Sequence, residues 1–567
     1  MILGTGVSPG IAMGKILLLQ NEEFIIKKTI ISDVEAEKTR FLKALKDSSD
    51  ELLQIKDKAL KELGEEKAAI FEAHLVLLED PELIASTVDK IESEKCNADY
   101  CFNVVATDFI ELFKGMENEY MRERVSDIRD ISKRVLGHML GIKSVDLSIL
   151  KEDAILVSND LTPSETANMD KEKVLGFLTN IGGRTSHTAI MARSFEIPAV
   201  VGLENITTTV KQGDYVIIDG DSGKVLINPN VEDISYYNKL KEKCENIKQK
   251  LQLFKDKESV TFDGKKVELA GNIGTPEDVT GLINNGAEGV GLFRTEFIFM
   301  NRDCLPTEEE QFQSYKTVLE ALSPKPVVIR TLDIGGDKEL SYLNIDKEMN
   351  PFLGYRAIRI CLKETDLFKN QLRALLRASV YGNLKIMFPM ISSLEELLMA
   401  KDILNEVKEE LETSKVPYAS NIEVGMMIEV PSAAIISDML AKHVDFLSIG
   451  TNDLIQYTCA VDRMNEKINH LYSPFNPAVL RLIKMVIDNG HKEGIWVGMC
   501  GEMAGDKKII PILLGMGLDE FSMSPISILP ARKLIDSLRY SDMKNIADII
   551  LTMTTSEAIL SYIEKAF

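Results

Sequence analysis

The sequence predicts a multidomain α/β protein: an α/β domain with an inserted α-helical subdomain, a linker helix, and a C-terminal (β/α)8, or TIM, barrel. Three observations lead there. Short strand-like apolar runs occur at the start of the chain and return only after a long, charged, helical stretch. A segment without Gly or Pro follows them. Beyond it strand-like and helical runs alternate to the end, the pattern of βα units around a parallel sheet.

Residues 1–20 are Gly-rich and apolar, running into IAMGKILLLQ. From Asp33 to Gly141 apolar residues fall three and four apart among dense charges, the spacing of amphipathic helices. Pro81 and the glycines at 64, 115 and 137 are expected to punctuate them. Strand-like runs resume at 154–157, 174–178, 199–201, 215–218 and 225–227, separated by turn residues. Residues 1–20 and 145–230 therefore read as one domain, with 21–144 inserted into it. Residues 231–258 read as one connecting helix of roughly 40 Å at 1.5 Å per residue. In 259–567, strand-like runs are expected at 267–272, 289–296, 327–333, 384–390, 424–430, 445–451, 496–502 and 520–524.

Composition removes several functions. Lys plus Arg number 66 against 88 Asp plus Glu, a formal net charge of −22, so a nucleic-acid-binding body with a concentrated basic surface is not expected. No apolar run has the length of a bilayer span, so no membrane insertion is expected. Seven scattered cysteines without a CxxC pair read as reduced thiols of a cytoplasmic protein.

The chemistry-bearing residues gather in two places. Gly182-Gly183-Arg184-Thr185-Ser186-His187 follows an apolar run and opens a helical one, with Thr185 or Ser186 as its cap. At a helix N-terminus the dipole disfavours imidazolium, leaving His187 neutral and nucleophilic. The same free N–H groups suit a phosphoryl group carried on that ring, and Arg184 would add a charge-assisted contact. The second gathering is the ring of strand C-termini, where a barrel builds its active site: Asn272, Arg294, Glu296, Arg330, Asp333, Glu429, Asn452, Asp453, Cys500 and Glu502. Arg294 with Glu296 could form a salt bridge, and Asp333 could cap a turn. Glu429 and Asp453 are hard oxygen ligands suited to Mg²⁺. Arg294, Arg330 and Arg463 are fixed cations for a carboxylate and a phosphate, and Asn452 is a further donor. Cys500, between glycines, could deliver a proton to an enolate.

These residues lie in GGRTSHTAI, LFRTEFIFM, IRTLDIGGDK, MMIEVPSAA, SIGTNDLIQYTCAVDR and GMCGEMAGD. Together the six segments resemble the Enzyme I family of the bacterial sugar phosphotransferase system, the phosphoenolpyruvate–protein phosphotransferases. The resemblance runs from LGTGVSPGIAMGK to the end of the chain and includes IFEAHLVLLEDPEL. It implies that His187 is phosphorylated, on Nε2, by phosphoenolpyruvate and passes the group to the phosphocarrier protein HPr, releasing pyruvate. It implies that Arg294, Arg330, Asn452, Asp453 and Arg463 bind the substrate, that Glu429 and Asp453 hold Mg²⁺, and that Cys500 is the proton donor. A homodimer formed through the barrel is implied as well, with HPr docking on the helical insert around Phe71, His74, Leu75 and Leu78, bordered by Glu72 and Glu79. One departure is Met464 beside Arg463, where a small residue is expected. Phosphoenolpyruvate synthases and pyruvate phosphate dikinases share these parts but need a nucleotide-binding domain, for which there is no room before residue 145.

Overall fold

The computed structural model describes residues 1–19, 26–63, 65–114, 119–141, 147, 150, 152–161, 169–170, 173–183, 187–195, 197–300, 302, 304–336, 340, 342–343, 348–463, 465 and 467–566. Arg184, Thr185, Ser186, Met464 and the glycines at 64 and 115 lie outside them. The chain divides into two compact units, Met1–Asn246 and Ile247–Phe567. Among the described residues no helix is long and apolar enough to cross a membrane.

The first unit holds an eight-stranded sheet: β1 Ile2–Leu3, β2 Thr5–Ser8, β3 Ile11–Leu18, β4 Ala154–Ser158, β5 Val174–Thr179, β6 Ala199–Val201, β7 Tyr215–Asp219 and β8 Lys224–Ile227. Their order is β1-β8-β7-β3-β4-β5-β6-β2. Strands β3, β4, β5 and β6 run parallel, and antiparallel strands flank them. β4 is buried along its whole length, because Leu156 packs into one core and Ile155 and Val157 into the other. A sheet covered on both faces reads in sequence as an unbroken apolar run, which is what β4 shows. His187 is the first residue of the helix His187–Ser194, which lies between β5 and β6 in the chain.

Between β3 and β4 the described residues form the helices Val34–Leu63, Glu65–Leu78, Pro81–Glu94, Ala98–Lys114 and Glu119–Leu140, around a core of their own. Asp80 caps the third, accepting from the Glu82 and Leu83 N–H groups at 2.8 and 3.0 Å, with Pro81 at its first position. Arg40 of the first helix pairs with Asp99 of the fourth at 2.9 Å. Two expectations fail here. Gly137 does not break a helix; it lies inside Glu119–Leu140. Phe71, His74 and Leu78 form no docking strip, since all three are buried in the helical core. The outward positions of that helix end are Glu72, Val76 and Glu79.

The helix predicted over 231–258 is shorter, Val231–Gln252. Beyond Gln252 the chain is turned away by Arg532, the largest fully buried side chain among the described residues. Its guanidinium donates to the Phe254, Lys255 and Gly286 carbonyls at 3.0, 2.9 and 2.6 Å and to Ser259 Oγ at 3.0 Å.

The second unit is a closed parallel barrel: β9 Glu268–Ile273, β10 Val290–Arg294, β11 Pro326–Arg330, β12 Asn383–Phe388, β13 Glu423–Ile428, β14 Phe446–Ile449, β15 Trp496–Met499 and β16 Glu520–Met523. All eight expected runs are strands, most ending a few residues sooner. The closure pairs Phe521 of β16 with Leu269 of β9. Outward residues join the large core beneath the helices, whereas Leu292, Val328, Met387, Met427, Phe446 and Cys500 pack inside the barrel.

Arg532→Met should leave three part-buried carbonyls without their donor. A loss of about 3 kcal/mol is expected, because hydrogen bonds to charged groups contribute ~1.5–3 kcal/mol each and some are replaced by water. Thermal unfolding of the full chain, followed by calorimetry, checks it.

Candidate active site

The C-terminal ends of the barrel strands carry a buried lattice of opposite charges. Arg330, the last residue of β11, pairs with Glu296 at 2.7 Å and with Asp333 at 2.8 Å. Glu296 thus pairs across neighbouring strand ends with Arg330, where a bridge to Arg294 was the alternative, and Asp333 is an ion-pair partner. Arg356 reaches the other oxygen of Asp333 at 3.0 Å, touches Asp453 at 3.3 Å, and donates to the Tyr457 hydroxyl at 2.9 Å. Burial works against both guanidinium charges, yet the carboxylates around them raise both pKa values: Asp333, Glu296 and Glu429 for Arg330, and Asp333 and Asp453 first for Arg356.

Arg356 carries no sequence signal, because it sits well beyond the end of β11 instead of at it. The loop brings it back through the Ala357 N–H, which donates to the Ile334 carbonyl at 2.8 Å. Ala357 adopts φ +52° and ψ −125°, a conformation that costs a non-glycine residue on the order of 1–3 kcal/mol. The fold accepts this strain directly beside the guanidinium that joins Asp333 to Asp453.

Glu429 follows β13, is 2% exposed, and accepts from the Met390 N–H at 2.6 Å. Burial first, then the like charges of Asp453 and Asp333, push its carboxyl up to about 8. Gly450 lets the next element come close, since a Cβ there would lie 3.0 Å from Glu429 Oε2. The helix Thr451–Cys459 starts at that point and carries Asn452 and Asp453. Asp453 is 7% exposed and its Oδ1 has no hydrogen-bond partner among the described residues.

Asn452 Oδ1 accepts from the Glu502 N–H at 3.2 Å, and the Asn452 carbonyl accepts from the Tyr472 hydroxyl at 3.2 Å. Burial pushes the Tyr472 hydroxyl up to about 12, with the charge of Arg463 opposing it. The Arg463 N–H is held by Gln456 Oε1 at 3.1 Å. Cys500, just past β15, is 3% exposed, and its thiol points at the Ile449 carbonyl, 3.9 Å away. Burial pushes the thiol up to about 11, so it is protonated at neutral pH. Asn272 Nδ2 holds the Cys500 carbonyl at 3.0 Å. A cavity of about 570 Å³ opens at these strand ends, lined by Asn272, Arg294, Gly501 and Glu502 among others.

Family models for the PEP-utilising enzymes match the chain in three places: the N-terminal model over residues 3–124, the mobile-domain model over 150–223 and the PEP-binding-domain model over 248–540. The phosphoenolpyruvate-protein phosphotransferase of Priestia megaterium is 55% identical over 568 residues, which cover 100% of this chain and 99% of that protein. Those of Bacillus sp. (strain S) and Bacillus subtilis (strain 168) are 55% and 54% identical, covering 100% of this chain and 98% and 99% of theirs. The chain belongs to the phosphoenolpyruvate-protein phosphotransferase family.

It is therefore an enzyme of phosphoenolpyruvate-to-histidine-to-HPr phosphotransfer, the entry step of sugar uptake by the phosphotransferase system. Membership in the family implies Mg²⁺ dependence. Among the described residues no three His, Cys, Asp or Glu side chains converge as a ready-made metal cage. The residues still fit this ion: Mg²⁺ uses one or two carboxylates with water and substrate oxygens. Glu429 and the unpartnered, buried Asp453 Oδ1 are a donor pair of that kind.

Arg356→Lys removes a planar fork that serves Asp333, Asp453 and Tyr457 together. It should lower kcat/KM for phosphoenolpyruvate roughly 10–100-fold, about 1.4–2.7 kcal/mol of transition-state stabilisation. Steady-state kinetics on the full chain checks this.

Proposed function

We propose that His187 is the residue phosphorylated, on Nε2, and that the barrel mouth is where phosphoenolpyruvate gives up its phosphoryl group. Arg294, Arg330, Asn452 and Arg463 clamp the substrate's carboxylate and phosphate, and Glu429 and Asp453 hold Mg²⁺. The observation that carries this reading is the Arg330–Asp333–Arg356–Asp453 lattice beside Glu429: fixed cations for an anionic ligand, next to two carboxylates with capacity for a divalent cation. When bound, Mg²⁺ offsets the charge of the phosphoryl oxygens and of the leaving enolate.

The chain's own groups do the rest. His187 is the first residue of its helix, a position where the helix dipole disfavours imidazolium, and in this reading it is the nucleophile that attacks phosphorus. The bond from phosphorus to the enolate oxygen breaks as the one to nitrogen forms, with catalysis by positioning and electrostatics. The enolate takes a proton at carbon from the Cys500 thiol, giving pyruvate. Its raised pKa favours a proton held until a carbanion arrives.

In this reading residues 1–20 and 145–230 carry the phosphohistidine, 21–144 bind HPr, 231–258 link, and 259–567 bind phosphoenolpyruvate and dimerise. HPr docks on the helical insert, where the outward Glu72 and Glu79 flank the exposed Val76 and suit a basic partner. Leu398, Met399, Ile435 and Met439 stay 39–60% exposed on helices outside the barrel, apolar surface that a second copy would cover.

Intact-mass spectrometry after incubation with phosphoenolpyruvate and Mg²⁺ tests the reading. One acid-labile phosphoryl group is expected, lost in His187→Ala and discharged by HPr. Labelling that persists in His187→Ala means another nucleophile.

A further inference from the structure

Once Cys500 has protonated the enolate it is a thiolate in a pocket only 3% exposed, and its proton must be replaced before the next turnover. The barrel interior contains polar groups that the reaction has not yet used. Strand alternation aims Ser448, Gly498, Cys500, Glu520 and Glu268 inward, because Leu447, Val497, Phe521 and Leu269 belong to the outer, helix-facing core. Register then sets Ser448 beside Gly498, Gly498 beside Glu520, and Glu520 beside Glu268. Cys500 is the next inward residue above Gly498.

Gly498 is the gap between the two polar strands. A Cβ there would lie 2.0 Å from Glu520 Oε2, and one at Gly291 would lie 1.9 Å from Glu520 Oε1. Two glycines thus shape a slot for one carboxyl group that is 4% exposed and whose Oε2 has no hydrogen-bond partner among the described residues. Across Gly498, Ser448 Oγ is also buried and without one. Buried polar atoms are rarely orphaned, and two facing each other across a glycine are what a bridging water or a working proton path requires. The Ser448 hydroxyl also stands near enough to Cys500 to lower that thiol's pKa, the sign expected of a donor to the thiolate.

Resting on the proposed role of Cys500, we propose that Ser448, Glu520 and Glu268 form a proton relay through the barrel core that restores the thiol from solvent at the N-terminal ends of the strands. The thiolate takes the Ser448 Oγ proton while Ser448 takes one from the Glu520 carboxylic acid over a bridging water. Glu520 is refilled by Glu268, the partly exposed first residue of β9, and Glu268 by solvent. One S–H bond is remade, no electrons change owner, and each pyruvate consumes one solvent proton.

The charged groups around the carboxyl pair are Lys385 of β12, Glu423 of β13 and Glu288 ahead of β10. Lys385 is held by Glu423 at 2.9 Å and stacked on Trp496, with its Nζ 4.4 Å from the ring centroid. Burial, then Glu268, raises Glu520 despite Lys385. Burial pushes Glu268 up to about 7, with Lys385 opposing and Glu288 and Glu423 reinforcing. Both carboxyls therefore carry protons below neutral pH.

The test separates first from later turnovers in the full chain with phosphoenolpyruvate, Mg²⁺ and saturating HPr. The first pyruvate uses the proton already on Cys500; later ones need it replaced. Glu520→Gln and Ser448→Ala should keep the wild-type burst and lose about tenfold or more in steady-state rate. The wild-type steady-state rate should fall above about pH 7, and that limb should vanish in Glu268→Gln. Emission of Trp496, the single tryptophan, reports whether each variant keeps its barrel floor. Equal slowing of burst and steady state in both variants, or no slowing in either, overturns the relay. Cys500→Ala separates the two proposals: a wild-type first turnover there removes the Cys500 role and the relay with it, whereas a slow one with unaffected Glu520→Gln and Ser448→Ala removes the relay alone.

Discussion

Arg330 and Arg356 reach the same carboxylate, Asp333, from two different segments of the chain, and the barrel mouth is organised around that shared contact. Arg330 fixes Glu296 on the neighbouring strand end, and Arg356 fixes Asp453 at the start of the helix after β14. Without either guanidinium a buried carboxylate would be left uncompensated, a cost of several kcal/mol. The side chains that would bind the substrate are thereby positioned before any ligand arrives.

Two carboxyls beside this lattice, Glu429 and Asp453, are buried together and crowd one another. Glu429 shows the consequence in its raised pKa. On the proposed reading a divalent cation relieves that crowding, while Arg294, Arg330 and Arg463 supply positive charge for the phosphoenolpyruvate anion. In that reading the cation and the anion would complete one electrostatic unit, each improving the site for the other.

Much of this was legible in the sequence, and the failures are instructive. The barrel strands could be read because their apolar runs are bounded by turns and helices. They end sooner than the apolar run wherever the next element starts at once, as Thr451 begins a helix directly after β14 and Gly450. Most of the strand-end charges could be placed because a barrel directs them to one face. Arg356 could not, since a loop carries it there and tertiary contacts such as that of Ala357 with Ile334 bring it home. The end of the linker helix was equally hidden, being decided by Arg532 far along the chain. Phe71, His74 and Leu78 misled because Glu65–Leu78 is apolar on several sides, so its sequence does not mark which face is buried.

The central claim is that phosphoenolpyruvate and Mg²⁺ complete one charge lattice. Isothermal titration calorimetry with His187→Ala, which blocks transfer in this account, measures it most directly. Phosphoenolpyruvate affinity should rise at least about tenfold when Mg²⁺ is present, Mg²⁺ affinity should rise by the same factor when phosphoenolpyruvate is present, and Asp453→Asn should abolish the coupling. Equal phosphoenolpyruvate affinity with and without Mg²⁺ would contradict the account.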